Sequence, residues 1–586
     1  MIELKYNPND MRNIFFIGDE LELQSQKGKK HKTPNLEDFL NKIPSHHFLP
    51  SFKGTPTPEI FLKKKHTKMG RVLYYCHSGL WRNIQLWCQK KNIVLQLPEQ
   101  FNYFKYTGFN MSFEEWKEYV NSWEISLCPY EYQYRAAWLI LKYRQSLSQL
   151  ATRAGKTLVA YMVFRYLMEK QGAKKILMIV PAKSLVKQAV GDFTDYAEFF
   201  KMETVWAGGE LQEGSNLTIG TFQSLVMRAD KTNAKYDPHF FDDYDVILVD
   251  EAHTLKCKSI NTILEQPFIK DVKVKFGFSG SLPPEDTIES FCCHALMGPT
   301  IQDIRSKELM DGGYITPIDI TQIYIPHPMT DEQRDNYIKC AEYLNSVTVV
   351  DKINGEKVER KLPIEKREFT IELEKEFPLV LREMKERVAD DYDGPDKLTI
   401  DDYLNYNIDL CKDRGSNLLL LEQMVLHRDQ KRLEVLRDLL NGFEKNCIVF
   451  AHHTSYLKYL HSRIIEWFPD RPIYLITGQT SDKKREQIKE KLLNDKAAIL
   501  VASYGCVGTG LTFKNLDYGV FAQSFKSPII NKQSLGRGLC LANDKEKYYL
   551  YDLVDDFPTG KLVDQGRSKY KLFKSEKFDV RVKRVS

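Results

Sequence analysis

At 586 residues the chain is too long for one hydrophobic core, which excludes a single compact domain and points to about three or four. Its 42% hydrophobic content is that of a globular protein, and 84 Lys and Arg against 79 Asp and Glu leave only +5, too little to mark a polyanion binder by itself. No apolar run approaches the roughly 18 residues of a membrane span. Glu3, Lys5 and Asp10 stand where a signal peptide needs an apolar stretch, and the 11 cysteines form no CxxC pair. These features set aside a membrane anchor, secretion and structural zinc, and favour a soluble, cytoplasmic protein.

The charge is unevenly spread. Residues 1–110 hold 17 Lys and Arg against 9 Asp and Glu, and residues 567–586 hold 8 against 2. Basic ends on a near-neutral body suit a polyanion-binding surface, although solvated loops would give the same count. In chain order, Asn13–Ile17 and Arg71–Tyr75 read as strands, and Leu80–Lys90 as an amphipathic helix with Leu80, Ile84 and Trp87 on one side. With the run Lys63-Lys64-Lys65 between them, residues 1–111 read as a small basic α+β domain that binds nucleic acid. Ser112-Phe113-Glu114-Glu115 is a capping box that opens a helix. Beyond it, short apolar runs at Ile176–Val180, Val246–Val249 and Val274–Phe278 suit strands buried on both faces of a parallel sheet. A first α/β domain is placed at 112–312. A second spans 313–560, with strands expected at Ile318–Tyr324, Cys447–Ala451, Ile473–Ile476, Ile499–Ser503, Tyr518–Ala522 and Lys547–Leu553. A charged, mostly helical insertion interrupts it over about 330–425, and residues 561–586 form a basic tail.

Chemistry concentrates in two runs. In Leu150-Ala151-Thr152-Arg153-Ala154-Gly155-Lys156-Thr157 the first glycine of the usual phosphate loop is missing. The remainder still works: Ala154 and Gly155 let backbone approach phosphates, Lys156 reaches the β and γ phosphates, and the Thr157 hydroxyl can ligate Mg²⁺. The following helix points its N-terminal dipole at the anion. A plain helix start would also accommodate the run. The second, Asp250-Glu251-Ala252-His253, follows a buried-strand pattern, which puts Asp250 at the ligand edge of an open α/β sheet. Asp250 would hold Mg²⁺ through water, and Glu251 would orient or deprotonate the attacking water. A helix N-cap accounts for Asp250 alone, but not for the Glu and His after it. Together the runs read as an ATP hydrolase.

With these and the motifs around them, the sequence resembles the superfamily 2 helicases, and within them the UvsW-type recombination helicases of large phages. Pro129-Tyr130-Glu131-Tyr132-Gln133 is similar to the motif upstream of the phosphate loop, and the resemblance implies that Gln133 recognises adenine. Val180-Pro181-Ala182-Lys183-Ser184 and Gly220-Thr221-Phe222-Gln223 resemble strand-gripping motifs, which implies nucleic-acid contacts by Pro181, Lys183, Ser184, Thr221 and Gln223. Gly277-Phe278-Ser279-Gly280-Ser281 resembles the motif that couples hydrolysis to strand movement, so Ser279 and Ser281, with His253, become coupling residues. His253 as a hydrogen-bonded core histidine is the other reading. Gly508-Thr509-Gly510 resembles motif V, with Gly508 and Gly510 towards nucleotide and Thr509 towards nucleic acid. Gln533-Ser534-Leu535-Gly536-Arg537-Gly538-Leu539-Cys540 resembles motif VI.

Motif VI departs from the family. Gln533 and Arg537 are present, but Cys540 stands where a second arginine reaches for the γ-phosphate. Arg537 alone, Lys532 or an insertion residue could serve, or hydrolysis could be slow; Cys540 could simply pack. The resemblance implies two tandem RecA-like parallel-sheet domains in an α/β chain. It also implies ATP and Mg²⁺ as cofactors, and branched or forked DNA or RNA–DNA hybrids as partner, in a phage-infected host cytoplasm. The chain is expected to be monomeric, with the insertion a candidate protein-docking element. A duplex translocase that displaces without separating strands, and a nucleic-acid clamp with an impaired ATPase, are the rival readings.

Overall fold

The computed structural model describes residues 2–6, 13–18, 36–41, 61–66, 72–99, 101–102, 106–205, 214–266, 272–285, 287–328, 330–331, 351–353, 356–358, 429–505, 513, 515–525, 527–542, 545–557 and 560–585. The chain divides into two compact units, one of Met1–His47 and Pro56–Ser306, the other built mainly of Lys307–Ser586.

The first unit opens with strands β1 (Ile2–Tyr6), β2 (Asn13–Gly18), β3 (Lys63–His66), β4 (Val72–His77) and β5 (Leu95–Gln96), in the order β3-β4-β2-β1-β5. The pleat turns Ile2, Leu4, Ile14, Phe16, Tyr74 and Cys76 to one face, where they pack with Leu80, Trp81, Ile84 and Trp87 of the following helical segment. The expected helix is found at Trp81–Lys90. This small layer is seated on the larger α/β layer of the same unit through the helix Ile288–Met297. Phe39 and Phe61 pack on Phe291. His294, nearly buried, lies 3.1 Å by its Nδ1 from Asn83 Oδ1 and 3.2 Å by its Nε2 from Thr300 Oγ1.

Burial pushes His294 down to about 4, so it is neutral near pH 7. An unfolded histidine protonates near 6.5. Between those values the unfolded state binds more protons, so stability falls as pH falls. Acidification from pH 7 to 4 is expected to remove up to about 3 kcal/mol from this unit through His294. Melting curves of wild type and His294→Asn across that range check it: the variant should lose less stability on acidification than wild type does.

The larger layer holds β6 (Gln145–Leu150), β7 (Ile176–Val180), β8 (Met202–Val205), β9 (Leu217–Thr221), β10 (Val246–Val249), β11 (Val274–Ser279) and β12 (Thr300–Ile304). They form a wholly parallel sheet in the order β12-β6-β11-β10-β7-β9-β8. The second unit repeats the plan. β13 (Ile318–Pro326) is followed, after a two-stranded pair β14 (Asp351–Ile353) and β15 (Glu356–Val358), by β16 (Cys447–Ala451), β17 (Ile473–Ile476), β18 (Ile499–Ser503), β19 (Tyr518–Phe521), β20 (Tyr548–Asp556) and β21 (Val580–Arg584). Their order is β17-β18-β16-β19-β20-β13-β21, again parallel. The central strands of both sheets are apolar and fully buried, as expected where helices cover both faces. Two tandem parallel-sheet α/β layers with a small N-terminal α+β sheet are therefore present.

One expectation is corrected. Residues 561–585 are not a basic tail but the helix Lys561–Ser575 followed by β21, which completes the second sheet. A strand as charged as Val580–Arg584 is tolerated because it is an edge, and its lysine and arginines discourage further pairing. The insertion expected over 330–425 lies outside the described residues, apart from 330–331 and the β14–β15 pair. Its flanks are firmly held. His327, next to β13, lies 3.1 Å from Asp555 and 3.7 Å from Asp429. Arg432 donates to the same Asp555 at 2.9 Å. Burial alone would push His327 down, but its hydrogen bonds to Asp429 and Asp555 outweigh that and hold it above its ordinary value.

Candidate active site and nucleic-acid interface

The strand β6 ends at Leu150, and the chain then turns through residues 151–155 into the helix Lys156–Gln171. Two backbone positions carry the turn, Arg153 at φ 76° and Gly155 at φ 70°. Gly155 is required twice. Its left-handed backbone disfavours any side chain, and a Cβ there would lie 2.2 Å from Gln133 Nε2. Gln133 cannot easily yield. It is buried, accepts from Tyr130 N at 2.8 Å and donates to Ala154 O at 3.0 Å, with Tyr132 Oη donating to the same carbonyl at 3.1 Å. The sequence motif read as adenine recognition thus also buckles the phosphate loop to the helix Glu131–Lys142. Gly155→Ala is expected to weaken ATP binding more than about 10-fold, since the left-handed position alone costs roughly 1–2 kcal/mol and the loop must also give way. Nucleotide titration should show Gly155→Ala costing less on a Gln133→Ala background than on wild type, because the clash is gone and only the strain is left.

Across the sheet, β10 delivers Asp250, whose amide donates to Ile179 O at 2.9 Å. Glu251 follows at φ 54°, a left-handed position for a non-glycine residue and a strain of about 1–3 kcal/mol of the kind found at functional sites. That turn aims Glu251 in two directions. Its Oε1 lies 3.7 Å from Lys156 Nζ, and its Oε2 lies 3.2 Å from His253 Nδ1. His253 Nδ1 is also 3.0 Å from Ser279 Oγ. The Ser279 hydroxyl gives its one proton to Ser281 O at 3.0 Å, so it accepts from His253 and the histidine proton sits on Nδ1. Ser281 N returns a bond to Ser279 Oγ at 3.2 Å. An unbroken polar chain therefore runs Lys156–Glu251–His253–Ser279–Ser281.

Burial pushes the Asp250 carboxyl up to about 6, with Lys156 opposing and the Glu251 charge adding. A carboxylate so placed is short of positive charge. Together with the Thr157 hydroxyl it offers oxygen donors, the chemistry a hard divalent cation takes. Those residues fit a magnesium-bound nucleotide. Asp192, absent from the sequence reading, belongs to the same neighbourhood. Burial raises its carboxyl, and hydrogen bonds from Gln188 and Thr157 oppose the rise. Gln149 was missed as well. Its Oε1 accepts from Leu282 N at 2.8 Å and its Nε2 donates to Asp303 at 2.6 Å, which ties the strand before the phosphate loop to the segment after Ser281. A polar residue in a buried strand was the available signal.

The parallel register sets Val180 beside Thr221, so Pro181, Lys183, Ser184, Thr221 and Gln223 gather at the carboxyl edge of β7 and β9. Gln223 Nε2 closes the group on Pro181 O at 3.3 Å. Thr221 is buried and its hydroxyl donates to Ser224 Oγ at 3.1 Å, so it shapes the turn, whereas Lys183 and Gln223 are exposed. Lys63, Lys64 and Lys65 form β3 and are all exposed.

In the second unit Gly508, Thr509 and Gly510 lie outside the described residues. Gln533 sits on the helix Pro528–Gly536 and Arg537 caps it, 8% exposed. Cys540 is equally buried. Thr316 fixes this turn, donating by its amide to Leu539 O at 3.1 Å and by its hydroxyl to Cys540 O at 2.7 Å. A Cβ on Gly538 would meet the Tyr548 ring at 2.2 Å. Lys532, considered as a stand-in for the missing arginine, is paired with Glu576 at 2.5 Å.

Residues 110–283 match the family model of the type III restriction enzyme, res subunit, and residues 431–540 match the helicase conserved C-terminal domain. The chain is 24% identical over 486 residues to the ATP-dependent DNA helicase uvsW of Enterobacteria phage T4, covering 81% of this chain and 78% of that protein. It is 24% identical over 155 residues to the ATP-dependent DNA helicase Hel308 of Thermoplasma acidophilum, covering 23% of this chain and 20% of that one. The crystal structure of T4 UvsW aligns with 100% of this chain and 99% of that chain at 20% identity and a TM-score of 0.41; the fold assignment rests on the strand orders themselves. Among the described residues no helix is long and apolar enough to cross a membrane.

Proposed function

Because the chain is a superfamily 2 helicase similar to the UvsW-type enzymes, we propose that its Lys156–Glu251–His253–Ser279 chain is the element that hydrolyses ATP and reports the event to bound DNA. The protein is an ATP-dependent helicase or translocase acting on DNA. Lys156 meets the β and γ phosphates, Gln133 and Ala154–Thr157 shape the loop around the nucleotide, and Asp250 with Thr157 holds Mg²⁺. Mg²⁺ held there would supply positive charge to the phosphate oxygens. Glu251 accepts a proton from the attacking water, whose oxygen bonds to the γ-phosphorus as the bond to ADP breaks. By resemblance to motif VI, Arg537 and Gln533 are proposed to assist the same hydrolysis. His253 then carries the change in Glu251 to Ser279 and Ser281. Lys183, Ser184 and Gln223 grip the nucleic-acid backbone, which tracks a strand without reading its sequence.

The observation that carries this reading is the double engagement of His253, which bridges the hydrolytic carboxylate and the coupling serine. His253→Ala should retain most single-turnover hydrolysis while losing most stimulation by DNA. Equal loss of both would make it only a structural residue. By similarity to the phage enzyme, the proposed substrates are branched or forked DNA or RNA–DNA hybrids in a phage-infected cytosol. ATPase rates on single-stranded, duplex, forked and hybrid nucleic acids would rank them, and strand-displacement beside triplex-displacement assays would separate unwinding from translocation alone. The proposed domain limits are 1–111, 112–312 and 313 onward. A protein-docking role for the 330–425 insertion, and a monomeric state, rest on sequence alone.

A further inference from the structure

The small N-terminal sheet has a second face. Its pairings align Lys5 with Phe15, Phe15 with Tyr75 and Tyr75 with Lys63 across four neighbouring strands. Strand pleating puts every residue of such a row on one side, opposite the Ile14, Phe16, Tyr74 and Cys76 side that forms the core. Phe15 and Tyr75 occupy the two central strands, are only partly buried, and have ring centroids 5.9 Å apart. One row along, Leu73 pairs with Lys65. The lysine run therefore splits: Lys63 and Lys65 share the aromatic face, and Lys64 lies on the other side. The row ends at a cavity of about 320 Å³, where Asn13, Lys63, Tyr75 and His77 face Lys275 and Glu265 of the larger layer.

Two adjacent, partly buried aromatic rings on neighbouring strands, bordered by lysines, form among the described residues a surface with apolar flat faces inside and positive charge at the rim. Unpaired nucleotides complement both parts, since their bases stack on rings while their phosphates meet lysines. A duplex presents phosphates but keeps its bases stacked on one another, so it would leave Phe15 and Tyr75 unused. Glu3, on the same face, pairs with Lys5 at 3.3 Å, so Lys5 adds less to the field than Lys63 and Lys65 do.

We propose that this face is a stacking platform for single-stranded DNA, with Phe15 and Tyr75 contacting bases and Lys63 and Lys65 contacting phosphates. The proposal rests on the DNA-motor reading and adds to it a site outside the motor layers that recognises unpaired bases. Such a site would hold the strand exposed at a branch point.

The test is equilibrium binding of the full chain to a fluorescent oligodeoxythymidylate and to an abasic oligomer of the same length. Wild type, Tyr75→Ala, Tyr75→Phe and the Lys63→Ala/Lys65→Ala pair are compared. Wild type should prefer the oligomer with bases by on the order of 10-fold or more. Tyr75→Ala should lose most of that preference without weakening abasic binding, and Tyr75→Phe should keep it. The double lysine variant should keep the preference but lower the log–log salt slope by about 1.4. Equal binding of both oligomers by wild type, or equal weakening of both by Tyr75→Ala, overturns the platform. If wild type shows no DNA-stimulated ATPase the motor reading fails instead, whatever the oligomers do.

Discussion

Arg537→Ala is expected to lower DNA-stimulated ATP turnover by about 10³–10⁵, the range seen when a phosphate-directed arginine is removed from other nucleotide hydrolases. The size follows from the commitment of the described cations near it, since Lys545 is buried and donates to the Gly538 carbonyl. Cys540 is buried and its carbonyl is held by the Thr316 hydroxyl at 2.7 Å, while Lys532 is committed to Glu576 at 2.5 Å. The same geometry gives Cys540→Ala an effect of less than about 10-fold, because an uncharged side chain there supplies nothing to a phosphate. Cys540→Arg, which restores the family pattern on paper, should not raise turnover. A guanidinium would enter a packed turn with no partner, a destabilisation of about 3–5 kcal/mol visible in melting. An Arg537→Ala variant within 10-fold of wild type would show that positive charge reaches the phosphates from elsewhere.

Glu251→Gln should lower turnover by about 10²–10⁴, the usual contribution of a positioned general base, while nucleotide binding survives. Glutamine keeps the shape that the φ 54° turn must accommodate, and its single amide oxygen can still accept from either His253 or Lys156. What it loses is the capacity to take a proton. Lys156→Ala differs in kind: it removes the charge that meets the phosphates, so it should weaken binding and turnover together. Nucleotide titration beside single-turnover hydrolysis separates the two. If Glu251→Gln bound ATP as poorly as Lys156→Ala, the carboxylate would be a structural partner of the loop.

The Gly155-Lys156-Thr157 and Asp250-Glu251-Ala252-His253 runs were legible as candidates because few residue types suit such chemistry, and the structure brings Lys156 to 3.7 Å from Glu251. The buried strands of the sheets were legible where they were apolar, as at Ile176–Val180 and Cys447–Ala451. β6 was not, since Gln145, Ser146, Ser148 and Gln149 break the apolar pattern; Gln145 pairs with Ser78, Ser148 with Gln302 and Gln149 with Asp303. β21 was hidden by its charge, which an edge strand tolerates. Contacts were the least legible layer. The sequence cannot show that Thr221 gives its hydroxyl to Ser224, that Gln133 holds Ala154, or that one lysine of three turns away from Phe15 and Tyr75.

The central claim is that ATP hydrolysis at Glu251 is driven by DNA. Steady-state phosphate release by wild type and Glu251→Gln, each with and without single-stranded DNA, tests it most directly. Wild-type release should rise several-fold or more on adding DNA, and Glu251→Gln should show almost none in either condition. Wild-type release indifferent to DNA, or unchanged by Glu251→Gln, would contradict the account.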